Sequence, residues 1–297
     1  MCNILVLTVL FSYAAATQIQ SDNLHRIIHG DIAADGQFPY AMSLQELGSP
    51  QSLNTRGHRC GGVLFTLQHA LTVASCLYDL VNGYFRIIEP SNYRVFAGPS
   101  ALTNDTSPEF IRQIANFTVH PEYIGPPAYV NDIAIITVIT PFTTVAVRPL
   151  ALPASNFDPS KFTSCTVTGW GAANSTDTAS VALRYASKYI YDQELCMSMF
   201  NLSPGTVNIL PSMVCAASHN IISSGCMGDN GNPLVCNNTL TGVLFMTDAC
   251  RSSSYPELYT RVSTYTTWIR SVSSAPPIFS SGTILLLMTT IARLLFP

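Results

Sequence analysis

An all-β fold, a barrel or a sandwich, is predicted between residue 27 and about residue 262. Three observations predict it. Short runs rich in Val, Ile, Thr, Phe and Tyr recur: GGVLFTL, NYRVFAG, DIAIITVI, CTVTGWG and TGVLFMT. Gly, Pro, Asn and Ser separate these runs, which is turn chemistry at strand spacing. No run suggests βαβ units or heptads, and no repeat of fixed period is visible.

Taken in order, the runs beginning at Gly61, Asn92 and Asp132 supply strands of a first half. PLALPASNFDPS, interrupted by Pro149, Pro153 and Pro159, reads as a connector. The runs beginning at Cys165 and Thr241 supply strands of a second half. VSTYTTWIRSV sets Val262, Tyr265, Trp268 and Ile269 on one helical face, the pattern of a short closing helix.

Charged residues are 10% of the chain and the formal net charge is −3, so no basic surface suggests a nucleic-acid partner. Nine cysteines point to an oxidising compartment. The N-terminus agrees: ILVLTVLFSYAAA is an apolar run ending in small residues, with Ala14 and Ala16 placed for cleavage before Thr17. Its only positive n-region is the α-amino group. Residues 1–16 thus read as a signal peptide, and their removal takes Cys2 and leaves eight cysteines, an even number suited to full pairing. In a secreted chain the Asn-x-Ser/Thr triplets at Asn104, Asn116, Asn174, Asn201 and Asn237 become candidate glycosylation sites.

The C-terminal residues 273–297 follow the layout of a GPI-anchor signal: Ser273, Ser274 and Ala275, a short Pro-containing spacer, then an apolar end. Ser274, or Ser273, would carry the anchor. The apolar end from Thr283 to Pro297 is short for a span of about 20 residues. Arg293 inside it would cost about 2.5–3.5 kcal/mol at the bilayer centre. A transmembrane anchor therefore fits less well, and a soluble protein with a sticky tail is the remaining alternative.

Residues 27–272 resemble the trypsin/chymotrypsin family of serine proteases, with an appearance closest to arthropod members. The motifs that carry the resemblance stand in the family's order: RIIHGDIAADGQFPYAMSLQ at the activation site, CGGVLFTLQHALTVASC, NDIAIITV, VTGWG and CMGDNGNPLVC. The resemblance implies two six-stranded antiparallel β-barrels packed together, closed by a short C-terminal helix. It also implies the disulfides Cys60–Cys76, Cys165–Cys236, Cys196–Cys215 and Cys226–Cys250, a propeptide over residues 17–26, and no cofactor or metal.

The family's mechanism needs a hydroxyl nucleophile, an imidazole base and a carboxylate that orients the imidazole. The resemblance puts Asp132 at the carboxylate position, Ser75 where the histidine stands and Asn230 where the nucleophilic serine stands. Neither substitute can do the missing work, and none of His25, His29, His58, His69, His120 and His219 falls at the catalytic position. Gly228 keeps the oxyanion-loop position. In the specificity pocket the resemblance puts Ser224 at the floor, Thr247 at the entrance where a glycine usually stands, and Glu257 across the pocket. Glu257 either receives a basic side chain from a ligand, or turns away or fills the pocket itself.

Arg26, Ile27 and Asp229 match the activation switch, in which cleavage frees an α-amino group that pairs with the buried Asp. That leaves two alternatives: the switch survives without the chemistry, or Asp229 persists because a buried charge is costly to strand. The sequence thus reads as a secreted, surface-held, non-catalytic homologue that binds a protein: a protease, an inhibitor or a protease substrate. The alternatives are a weak or atypical serine-type endopeptidase secreted as a zymogen, and a decaying gene product with no role.

Overall fold

The computed structural model describes residues 30–48, 57–102, 107–172, 179–201, 207–218, 224–247, 250 and 255–274. Along the chain come β1 (Asp31–Ile32), β2 (Ala41–Glu46), β3 (His58–Leu64), β4 (His69–Thr72), β5 (Tyr78–Val81), β6 (Tyr84–Ile87), β7 (Tyr93–Ala97), β8 (Ile111–Val119) and β9 (Ala134–Val138). The second half brings β10 (Ser164–Gly169), β11 (Arg184–Ile190), helix α1 (Gln193–Asn201), β12 (Met213–Ala217), β13 (Pro233–Cys236), β14 (Thr239–Met246), β15 (Glu257–Arg261) and helix α2 (Val262–Ser273).

Strands β2, β3, β4, β9, β8 and β7 close an antiparallel barrel. A second ring runs β11, β10, β13, β14, β15, β12 and returns to β11, with β1 added at β11. The sequence-level choice between barrel and sandwich therefore resolves as two six-stranded barrels. Closure leaves few bare strand edges, which suits a chain poor in charges with which to blunt them. One continuous apolar core joins the barrels, from Leu44, Leu71 and Ile135 in the first to Val243, Leu258 and Ile269 in the second.

Helix α2 forms as expected, burying Val262, Tyr265 and Ile269. Helix α1 was not expected. Its signals are local: Asp192 accepts a hydrogen bond from the N–H of Leu195 at 3.0 Å, Glu194 lies in the first turn, and Cys196 and Phe200 fall one turn apart in the core. The four implied disulfides all form. Cys60–Cys76 ties the turn after β4 to β3, and Cys226–Cys250 holds the loop that enters β13. Among the described residues no helix is long and apolar enough to cross a membrane.

Candidate functional site

Register brings the first two site residues together. Strands β4 and β9 pair antiparallel with Thr72 opposite Ala134, so the chain just past the end of one meets the chain just before the other. The 3-10 turn Ala74–Leu77 places Ser75, and its N–H donates to Oδ1 of Asp132 at 2.8 Å. The second barrel pins the acid: Thr260 Oγ1 donates to the Asp132 carbonyl at 2.7 Å, and Tyr265 donates to the side chain of Asn131 at 2.8 Å. Asn230 arrives on the loop before β13, where its carbonyl accepts from the N–H of Gly61 on β3 at 2.8 Å.

Ser75 and Asn230 line one cavity of about 430 Å³ with Tyr78, Phe85, Tyr123 and Tyr129. Asp132, 1% exposed, lies beneath Ser75. Burial pushes its carboxyl up to about 7 against the opposing pull of the Ser75 N–H. Oδ2 of Asp132 and Oγ of Ser75 are both buried, and the Ser75 side chain and the Ala74 backbone join the Ser75 N–H in pulling the carboxyl back down. The described histidines stand elsewhere. His69 bonds Thr66, and His120 packs on Tyr265 and Trp268.

His58 has a structural task. Its Nε2 donates to the Gly228 carbonyl at 2.9 Å, so Nδ1 is the acceptor for the Ser43 hydroxyl at 2.7 Å. Burial lowers its pKa to about 4, which keeps the ring neutral at pH 7. It thereby fixes the Gly228 loop, where Gly228 and Gly231 both take positive φ. A Cβ at Gly231 would collide with the Gly61 carbonyl and Thr72, which leaves glycine as the residue that fits.

Asp229 is buried at the turn of this loop. Its Oδ1 accepts from the N–H of Gly171 at 3.0 Å and from Nδ2 of Asn232 at 2.7 Å, and Oδ2 accepts from the N–H of Cys226 at 2.8 Å. Burial nevertheless raises its pKa to about 7. Asn232 was missed in the sequence. Its amide fills the space that Gly61 and Gly169 leave by lacking a Cβ, and these two glycines lie on other strands, so no local signal marked it. Arg26 and Ile27 lie outside the described residues, as do Asn104 and Asn174. Asn116 and Asn237 are exposed, and Ser274 is exposed at the end of α2.

At the positions that the resemblance gives to the specificity pocket, the buried charge is met from within. Glu257, 4% exposed, meets Nζ of Lys188 at 3.1 Å, and Lys188 is itself only 2% exposed. Glu257 also accepts from the N–H of Gly225 at 2.5 Å and from the Tyr259 hydroxyl at 2.6 Å. This corrects the alternative in which Glu257 receives a basic side chain from a ligand: Lys188 already supplies that charge. Ser224 at the floor is buried and bonds the carbonyl of Gly225. A Cβ built on Gly225 would lie 2.8 Å from Cγ2 of Thr247, so the Thr247 methyl lies against the face that glycine leaves open.

Residues 27–269 match the family model described as trypsin. The chain is 30% identical over 251 residues to trypsin alpha-4 of Lucilia cuprina, spanning 84% of this chain and 88% of that protein. It is 32% identical over 254 residues to granzyme M of Homo sapiens, spanning 84% and 89%. A fly and a human protein match about equally, so these similarities carry no preference for arthropod relatives. Among solved structures, neuropsin, described as a serine protease expressed in the limbic system of mouse brain, superposes with a TM-score of 0.68 at 28% identity, covering 82% of this chain and 99% of that one.

Proposed function

The chain belongs to the trypsin family, and we propose that within it this protein is a non-catalytic member that binds another protein: a protease, an inhibitor or a protease substrate. One observation carries the reading. Ser75 and Asn230 share one cavity beside Asp132, and none of the described histidines lines it. Acyl transfer needs an attacking hydroxyl and a base to take its proton. Ser75 has no ionisation near neutrality with which to serve as that base, and the amide of Asn230 is no nucleophile. Asp132, raised to about 7, is basic enough to take a proton, but the position of the nucleophile holds an amide and gives it no hydroxyl to activate. Losing catalytic members together costs on the order of 10⁶ in turnover. The Lys188–Glu257 pair at the specificity-pocket positions points the same way.

The test is fluorophosphonate labelling of the secreted chain after cleavage at Arg26. The expected result is no labelling above that of an Asp132→Ala variant. Labelling that tracks with the pure protein and disappears with Asp132→Ala would instead support a weak endopeptidase.

The same reading makes the protein secreted and held at the cell surface. Four paired disulfides suit an oxidising compartment. The small residues at Ser273–Ala275 and the apolar end support a lipid anchor at Ser274. Phosphatidylinositol-specific phospholipase C is expected to release the protein from cells, and a mature chain that still contains Arg293 overturns the anchor.

A further inference from the structure

We propose that the loop Cys226–Pro233 is held in its folded form by the chain's own Asn232, and that its order does not depend on cleavage after Arg26. Of the two alternatives that the retained Asp229 leaves open, the second is then the one realised: the buried carboxyl persists because the fold uses it. The loop's own geometry carries this, whether or not the cleft is catalytic. Three observations support it.

The first is the set of donors around Asp229, which is 1% exposed. Its Oδ1 accepts from the Gly171 N–H at 3.0 Å and from Nδ2 of Asn232 at 2.7 Å, and its Oδ2 accepts from the Cys226 N–H at 2.8 Å. A carboxylate offers about four acceptor positions, so most are filled by neutral groups of the same chain. Without such partners a carboxyl this deeply buried would be costly. In the activation switch that support comes from an α-amino group freed by cleavage, and here Asn232 supplies a donor that is present before any cut.

The second is how that donor is built in. Asn232 is 2% exposed. A Cβ on Gly61 would collide with its Oδ1, and a Cβ on Gly169 would collide with its Nδ2. The amide thus lies between β3 and β10, one strand from each barrel, with no room to swing away from Asp229. Its backbone is fixed as well. The Asn232 N–H donates to the Asp229 carbonyl at 3.1 Å, and its carbonyl accepts from the Leu244 N–H at 2.9 Å. A Cβ on Gly171 would collide with the Asp229 carboxyl, so glycine there lets the second donor approach.

The third is that the rest of the loop is tied down in the same manner. Cys226 is bridged to Cys250. The Gly228 carbonyl accepts from His58 at 2.9 Å, the Asn230 carbonyl from the Gly61 N–H at 2.8 Å, and the Gly231 N–H donates to the Leu244 carbonyl at 2.7 Å. Each residue from Gly228 to Asn232 therefore has a bond of its own, and none of these bonds uses an α-amino group. Arg26 and Ile27 are joined in this chain, so this is the arrangement of the uncut form. A partner that reads the Asn230 loop meets it already assembled, with no activating protease required.

The experiment follows amide hydrogen exchange of residues 226–233 in the secreted chain by mass spectrometry, before and after cleavage of the Arg26–Ile27 bond, with the intact mass showing that only this bond is cut. Protection of the loop is expected to agree within about threefold between the two forms, because its stability does not draw on the cut. In the uncut form, Asn232→Ala should lower protection of the same residues by at least about tenfold, while the strands of the first barrel keep theirs. A rise above about threefold on cutting the wild type overturns the proposal, since the α-amino group would then be what orders the loop. A smaller loss in a folded Asn232→Ala chain overturns it too, because Asn232 would then not be the group that holds the loop. The wild-type comparison needs no variant, so it decides the question even where Asn232→Ala fails to fold. Neither readout depends on catalysis, so the non-catalytic reading stands or falls separately, on fluorophosphonate labelling.

Discussion

Two carboxylates, Asp132 and Glu257, are buried to nearly the same degree on either side of the cleft, and they have met opposite fates. Glu257 is completed from within by Lys188, the Gly225 N–H and Tyr259. Asp132 has no cation beside it in the ion pairs described: neutral donors from Ser75 and Ala74 serve it, and burial leaves its carboxyl raised to about 7. A buried carboxyl can be met by a cation of its own chain or can hold a proton towards neutrality. Glu257 follows the first course and Asp132 the second.

The largest expected effect comes from breaking the Lys188–Glu257 pair. Lys188→Met strands Glu257 in the core, which costs about 3–5 kcal/mol or forces the carboxyl to take up a proton. Removing both charges, as in Lys188→Met with Glu257→Leu, should recover only part of that loss, because the charge desolvation goes but the Gly225 N–H and the Tyr259 hydroxyl lose their acceptor. Urea unfolding at neutral pH with the disulfides intact measures both. A loss below about 1 kcal/mol in Lys188→Met would mean that the ion pair is not what satisfies Glu257.

The next effect is catalytic. Ser75→His with Asn230→Ser rebuilds a triad with Asp132, yet Thr247 and the Lys188–Glu257 pair should keep kcat/KM low. Opening the pocket takes more than Glu257→Gly and Thr247→Gly, because Glu257→Gly alone would leave Lys188 without its carboxylate. The expected order is the double revertant, then the same chain with Thr247→Gly, then the chain that also carries Glu257→Gly and Lys188→Met. The gain across the series should be on the order of 10²-fold. Efficient cleavage by the double revertant alone would show that the pocket admits a side chain as it stands, and that the Lys188–Glu257 pair is no obstacle to a ligand.

How much of this was legible in the sequence depends on how local the signal is. The strand runs, the closing helix and the convergence of Ser75, Asp132 and Asn230 could be read because motifs in fixed order carry them. The disulfide set also could be read, though only through the family resemblance, since eight cysteines alone leave the pairing open. Lys188 was not read, and the reason is geometric. Along β11, Arg184, Ala186, Lys188 and Ile190 alternate onto the buried face, so a lysine in that phase announces a buried charge. Its partner lies 69 residues away in sequence, 257 minus 188, on a strand that is not its hydrogen-bonded neighbour. Period-2 reading flags the anomaly but cannot supply the partner. Asn232 was missed for a related reason: its role appears only when Gly61 and Gly169, from two other strands, close around it. Helix α1 was missed because its nine residues carry too short a pattern to stand out among strands.

The smallest expected effect is a pH dependence, and it tests Asp132 directly. Burial raises the Asp132 carboxyl from the ordinary value of 3.8 to about 7. Between those limits the folded chain holds a proton that the unfolded chain has released, so stability falls as pH rises through this window. The contribution is fully present below the unfolded value and is lost as pH passes about 7. Asp229, also raised to about 7, acts with the same sign, so wild type carries both contributions. Asp132→Asn removes one of them and should flatten the fall in urea midpoint between pH 5 and pH 8 without abolishing it. Glu257 provides the internal control, because its cation is built in: the Lys188→Met, Glu257→Leu double variant should keep the fall that Asp132 contributes. A fall left unchanged by Asp132→Asn would show that this carboxyl titrates alike in the folded and unfolded chain and would erase its difference from Glu257.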